Sequence, residues 1–244
     1  MSVDDAARKV PATAPAAGDD AWERAYLRFQ SPAQEVRKFV RRLRQLGARR
    51  WPRDAAVLEL FCGRGNGLRA LERLGFTNVT GVDLSPTLAA RYQGRARVLV
   101  HDCRQLPFPD DSYDAAVVHG GLHHLPVLPD DLARTLHEVR RVLRPGGRFL
   151  VVEPWRTPFL DFFHLLTRQR LVRRLWPKLD AYETMQEHEA DTFNRWISAP
   201  DMVLGLLRST FVPVVCRTGW GKLHFVGSKA ACDTSARSTH DALA

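Results

Sequence analysis

Short apolar runs alternate with stretches of helical periodicity through the middle of the chain. Ala55–Leu60, Val79–Leu84, Arg97–His101, Tyr113–His119 and Arg148–Glu153 are rich in Val and Leu. Runs of this kind read as strands buried on both faces. Segments near 67–74, 86–93 and 129–144 separate them. In the last of these, Leu132, Leu136, Val139 and Leu143 line one helical face, and Pro145-Gly146-Gly147 supplies the stop. The alternation predicts a parallel sheet with right-handed crossovers. Upstream, Val36, Phe39, Val40, Leu43 and Leu46 mark an amphipathic helix.

After the fifth run the rhythm changes. Residues 155–198 read as an aromatic, charged, helical insertion. A helix near 200–209 follows, then strands over Phe211–Thr218 and Lys222–Gly227. Gly219 and Gly221 in the turn predict an antiparallel hairpin. Residues 1–20 and 232–244 hold little to bury and read as disordered tails. The expectation is one α/β domain over 21–231: a doubly wound sheet of seven strands, mostly parallel, with 155–198 as a lid.

Composition narrows the class. The 244 residues include 22 aromatic side chains, enough with the Val and Leu content to build a core. No apolar run approaches a membrane-spanning length, which takes about 18 residues or more. The formal net charge is +9, but 31 of the 36 cations are Arg, a bias typical of a GC-rich genome. The charge is clustered: residues 37–53 hold eight cations and no acid, 156–178 hold six against Asp161 alone, and 180–191 carry five acids. Cys62, Cys103, Cys216 and Cys232 form neither a C-x-x-C pair nor zinc-like spacing, and no apolar leader begins the chain. The expectation is a cytoplasmic protein with free thiols and no metal site.

The strongest chemical signal is Glu59-Leu60-Phe61-Cys62-Gly63-Arg64-Gly65-Asn66-Gly67, where a buried strand runs into a glycine-rich turn that opens a helix. Such a turn exposes backbone N–H groups to a ligand at the carboxyl edge of the sheet. A phosphate-binding P-loop needs Gly-Lys-Ser/Thr at its end, and a dinucleotide fingerprint needs glycine where Leu68 stands. The turn instead resembles the first motif of the class I S-adenosylmethionine-dependent methyltransferases, of the type 11, small-molecule kind. Glu59, Gly63, Gly65 and Gly67 match it, and Phe61 replaces the usual first glycine. Gly81-Val82-Asp83-Leu84-Ser85-Pro86, His101-Asp102-Cys103 with Pro107-Phe108-Pro109, and Leu143-Arg144-Pro145-Gly146-Gly147 resemble the family's later stations in order.

The resemblance, which covers roughly 53–154 and the terminal hairpin, implies a Rossmann-like fold and S-adenosyl-L-methionine as cofactor. It places Glu59, Phe61, Cys62, Gly63 and Gly65 at the cofactor, with Phe61 beside its methionine portion, and Asp83 on the ribose hydroxyls. Leu84 packs on the adenine, Asp102 meets the adenine amino group, and the Cys103 N–H meets a ring nitrogen. In the segment His119-Gly120-Gly121-Leu122-His123-His124 the His119 carbonyl receives the cofactor amine. His119 and His123 are the candidates near the acceptor, with a base role for one of them. No Asn/Asp-Pro-Pro-Tyr stands there, which argues against adenine N6 methylation. Trp155, Phe159, Phe162, Phe163, His164, Trp176, Tyr182, Phe193 and Trp196 suit an apolar or ring-containing small molecule. Glu187, Glu189 and Asp191 are candidates for a polar contact or for pairing with the insertion's arginines. The other readings are a tRNA or RNA methyltransferase using 37–53 on phosphates, and a non-catalytic cofactor-binding scaffold. A further reading has Arg156–Lys178 on an anionic membrane. No obligatory protein partner is implied.

Overall fold

A computed structural model describes residues 29–167 and 177–231. Both tails, 1–20 and 232–244, lie outside the described residues. The first helix, α1 (Pro32–Gln45), starts at Ser31. The Ser31 side chain accepts from the Gln34 N–H while the Gln34 side chain accepts from the Ser31 N–H, and Pro32 occupies the first helical position. The core alternation follows: β1 (Val57–Leu60), α2 (Asn66–Arg73), β2 (Val79–Asp83), α3 (Pro86–Ala89), β3 (Arg97–Val100), β4 (Tyr113–His119), α4 (Asp130–Val142) and β5 (Leu143–Pro154). Helices α5 (Pro158–Thr167), α6 (Pro177–Ile197) and α7 (Pro200–Thr210) lead to the hairpin of β6 (Val212–Gly219) and β7 (Lys222–Ser228).

The strands form one sheet in the order β3-β2-β1-β4-β5-β7-β6. The pairs from β3 to β5 are parallel, and β7 runs antiparallel to β5 and β6. This is the mostly parallel, seven-stranded architecture that the hydrophobic pattern predicts. Two boundaries differ. Helix α3 is a single turn rather than a run to residue 93. Strand β5 starts at Leu143, before the proline–glycine stop, because Leu143 already pairs with Tyr113. Gly146, at φ +78°, then kinks the chain without taking it out of the sheet.

Side-chain alternation splits the core between the two faces of the sheet. Leu58, Leu60, Ala116, Val118, Phe149 and Val151 face α4 and α7. Val57, Ala115, Val117, Leu150 and Val152 face α1 and α2. With both faces covered, ionisable groups concentrate where the strands end. Glu59, Asp83, His119 and Glu153 all stand within the last two residues of their strands, on the carboxyl edge. Among the described residues no helix is long and apolar enough to cross a membrane. Cys62, Cys103 and Cys216 are free. Burial pushes the Cys62 thiol up, and the Cys103 thiol up to about 12, which makes both poor nucleophiles. Cys232 lies outside the described residues.

Candidate active site

The glycine turn after β1 reverses the chain with left-handed residues: Phe61 at φ +54°, Gly63 at +51° and Gly65 at +79°. A phenylalanine in that region is strained, which is the physical reason a glycine is usual there. Gly121 accommodates it: a Cβ there would stand 2.2 Å from the Phe61 ring. The Phe61 ring therefore lies across the backbone of the turn that follows β4. A Cβ at Gly67 would land 1.6 Å from Glu59 Oε1, so helix α2 opens directly over that carboxyl group.

Asp83 ties the turn to β2. Its Oδ2 accepts the Gly63 N–H at 2.7 Å and its Oδ1 accepts the Ser85 N–H at 2.8 Å. A carboxylate keeps about four acceptor positions, so two remain for a diol. Leu84 beside it is 59% exposed. At Gly63 nothing lies within 4 Å of a built Cβ. An open glycine, a carboxylate and an exposed leucine along the carboxyl edge of the sheet fit the methionine, ribose and adenine parts of S-adenosylmethionine, in that order. Asp102 is held by Arg104, whose Nε lies 3.0 Å from both oxygens and whose far nitrogen lies 2.7 Å from Oδ2. Burial would raise the Asp102 carboxyl, but the Arg104 contacts outweigh it and hold the group below its ordinary range. Arg104 also reaches Asp131 at 3.1 Å. The Cys103 side chain is buried against Thr135, and Cys62 is buried beside Leu68 and Gly81, so both thiols face inward.

The two candidate histidines fall on opposite faces of the sheet. The His119 ring turns under α1 and stacks on Phe39 at 4.3 Å with a 10° interplanar angle. Its Nδ1 lies 3.6 Å from Glu59 Oε1, and neither ring nitrogen nor Glu59 Oε2 has a hydrogen-bond partner. Burial, with Arg42, Lys38 and His224 nearby, lowers its pKa to about 3. Burial also raises the Glu59 carboxyl, as do Glu35 and Asp83. Both groups are therefore stable in their uncharged forms. His119→Phe is expected to flatten the acid limb of stability. Between pH 6.5 and about 3 the unfolded chain holds one more proton at His119 than the folded chain does. Wild-type stability should thus fall with pH more steeply than the variant's by about 1.4 kcal/mol per pH unit. Urea titrations across that range measure it, and parallel curves would refute it.

His123 sits on the other face, in a short 3-10 turn, Leu122–His124. Its Nδ1 lies 2.8 Å from Glu153 Oε2. The other oxygen, Oε1, accepts the N–H groups of Gly121 and Leu122, each at 2.8 Å. Burial alone would raise the Glu153 carboxyl; the His123 contact and the two backbone donors hold it below its ordinary range. Glu153 was not among the sequence candidates. Its signal was there: an acid closing the apolar run Phe149-Leu150-Val151-Val152 at the carboxyl edge. Phe193 of α6 meets His123 edge-on at 6.2 Å. Trp196 donates its Nε1–H to the Pro154 carbonyl at 2.9 Å, and Arg195 bonds the Pro126 carbonyl. Helix α6 thereby closes over the turn after β4.

The insertion's aromatics divide. Trp155, Phe193 and Trp196 are buried, Phe159 and Phe162 are exposed, and Tyr182 packs on Phe29 at 5.8 Å. The side chains of Phe163, His164, Trp176, Glu187 and Glu189 lie outside the described residues; Asp191 is exposed. Among the described residues no group of three His, Cys, Asp or Glu could hold a metal ion. A separate groove of about 770 Å³ lies over α1 and α2, lined by Arg37, Val40, Arg41, Arg44, Gln45, Arg49 and Arg73.

The topology, the glycine turn and the strand-edge carboxylates define a class I S-adenosylmethionine-dependent methyltransferase fold. Residues 58–151 match the family model described as a methyltransferase domain. It is 29% identical to a ubiquinone/menaquinone biosynthesis C-methyltransferase of Geotalea daltonii over 55% of this chain and 62% of that protein. It is 31% identical to a 2-phytyl-1,4-naphtoquinone methyltransferase of Synechococcus elongatus over 54% of this chain and 60% of that protein. The chain thus spans less than two thirds of these relatives. A solved structure of a putative S-adenosyl-L-methionine-dependent methyltransferase from Methanococcus maripaludis shares the fold, with a TM-score of 0.59 and 14% identity over 88% of this chain and 94% of that one.

Proposed function

We propose that the protein is a cytoplasmic enzyme that transfers a methyl group from S-adenosylmethionine to an apolar, ring-containing small molecule of the quinol type. The observation that carries this is the Glu153–His123 pair at the edge of the cofactor turn, under the aromatic helix α6. The names of the two relatives, both quinone methyltransferases, support the acceptor class.

The cofactor supplies an activated methyl group, so the chain's own residues position, desolvate and handle one proton. Asp83 accepts the ribose hydroxyls while holding Gly63. The Gly63–Gly67 turn cradles the methionine end, and the His119 backbone carbonyl receives its amine. Phe61 forms the floor beside Gly121. Glu153 accepts the Nδ1–H of His123, which leaves Nε2 as the basic nitrogen. His123 then draws a proton from a ring hydroxyl as the ring carbon or oxygen attacks. Helix α6 and Trp196 exclude water. On this reading His119 acts through its backbone, since its ring is sealed under α1.

The test is transfer of labelled methyl to a panel of demethylated quinols, with tRNA as comparator. Label in tRNA and none in any quinol would sink the proposal in favour of the Arg37–Arg73 groove as a phosphate site. In calorimetry the protein should bind S-adenosylmethionine and not NAD. Asp83→Ala should weaken that binding by about 1–3 kcal/mol, because charge-assisted hydrogen bonds are lost. An unchanged dissociation constant would remove Asp83 from the site.

A further inference from the structure

Strands β1, β2 and β3 lie side by side, so Gly63, Asp83 and Asp102 follow one another along the carboxyl edge of the sheet. The loop after β3 starts against Asp83. Val100 pairs with Asp83 across the strands, and the His101 N–H donates to the Asp83 carbonyl at 2.9 Å. One stripe of α4 then holds the loop from behind. Asp131, Thr135 and Glu138 stand at i, i+4 and i+7, so they share a helical face. Asp131 Oδ1 lies 3.1 Å from Arg104, Thr135 meets the Cys103 thiol at 3.8 Å, and Glu138 accepts the Leu106 N–H at 2.7 Å. Asp131 is itself buried and accepts the Val127 N–H at 3.1 Å, so this anchor does not swing.

Arg104 transmits that rigidity to Asp102. Its backbone N–H reaches Asp102 Oδ1 at 2.8 Å, its Nε lies 3.0 Å from both oxygens, and its far nitrogen reaches Oδ2 at 2.7 Å. A carboxylate has about four acceptor positions, so these three donors leave about one. The Asp102 side chain keeps 32% of its surface open to receive a donor there. The same contacts hold the carboxyl below its ordinary range, so it accepts hydrogen bonds and donates none. A fixed, acceptor-only group with one position left takes a single N–H donor. We propose that Arg104 is a positioning residue that sets the base specificity of the cofactor site, by fixing Asp102 to accept the amino N–H of adenine. The inference rests on the S-adenosylmethionine reading above and adds a residue that acts through Asp102.

The experiment is calorimetry of the full chain with S-adenosylhomocysteine and with the analogue that carries hydrogen in place of the 6-amino group. The two ligands differ only in that group, so the ratio of their affinities reads the one contact. Wild type should prefer the amino compound by about tenfold or more, as expected for a charge-assisted hydrogen bond. In Arg104→Met the fork on Asp102 is gone, and the ratio should fall below about threefold. Arg104→Lys keeps the charge but cannot fork, so its ratio should fall likewise; it also decides the matter if the Met variant does not fold. A merely structural role would weaken both ligands equally and leave the ratio at its wild-type value, which would overturn the proposal. So would a wild-type ratio preserved in Arg104→Lys, since charge alone would then suffice. Wild type that binds both ligands equally would sink this inference alone. Wild type that binds neither would sink the S-adenosylmethionine reading and this inference with it.

Discussion

Glu153→Ala is expected to destabilise the protein by about 3–5 kcal/mol and to abolish methyl transfer. The carboxylate is fully buried, and three donors converge on it: the Gly121 and Leu122 N–H groups and His123 Nδ1. Removing it strands all three away from water, which costs more than the lost hydrogen bonds themselves. Glu153→Gln separates charge from shape. Its amide oxygen, in the place of Oε1, can keep both backbone donors but turns an N–H₂ group toward His123 Nδ1, so roughly half the cost should remain. The pH dependence has a definite sign. The Glu153 carboxyl sits below its ordinary range, so its contribution is complete above the unfolded value near 4.5 and fades as pH falls through its lower folded value. Urea unfolding at neutral and acid pH should show wild type and Glu153→Gln converging at the acid end. A neutral-pH loss below about 1 kcal/mol for Glu153→Ala would mean water replaces the carboxylate and that Glu153 does not organise the turn.

Gly67→Ala should be nearly as damaging, against the trend of helix propensity. Alanine gains about 1 kcal/mol over glycine within a helix. Here its Cβ would meet the Glu59 carboxyl at 1.6 Å. Glu59 is buried beside His119, which is itself stacked on Phe39, so the carboxyl has no free direction to move. Overpacking of this kind costs about 1–3 kcal/mol or more, and the displaced helix start carries the N–H groups that the proposed function assigns to the cofactor. A fall in Tm of about 4–10 °C is expected for a domain of this size, together with loss of cofactor binding in calorimetry. In a Glu59→Ala background the clash is gone, so Gly67→Ala should there be neutral or stabilising. Additive penalties in the double variant would refute the steric explanation.

Much of the molecule was legible in the order of its residues. The Val- and Leu-rich runs had no polar alternation, so they read as strands buried on both faces; that holds for the central strands, whereas β3, at the sheet edge, is half-exposed and reaches β4 without a helix. The glycine turn, Asp83 and Leu84 were readable because local backbone chemistry dictates them: left-handed turns need glycine, and a strand end needs a partner for its charge. Burial and partner choice were not readable, because they depend on which face of the sheet a side chain takes and what covers it. His119 and His123 look alike in sequence, four residues apart. Strand alternation sends the first beneath α1 onto Phe39, and the turn after Gly120 sends the second to Glu153, thirty residues away in the chain. The insertion's aromatics form one class by composition, yet Trp196 fills the core while Phe159 and Phe162 face water. Periodicity fixes elements because it repeats along the chain. Which charge meets which histidine, and which ring meets solvent, are settled only by contacts between segments far apart in sequence.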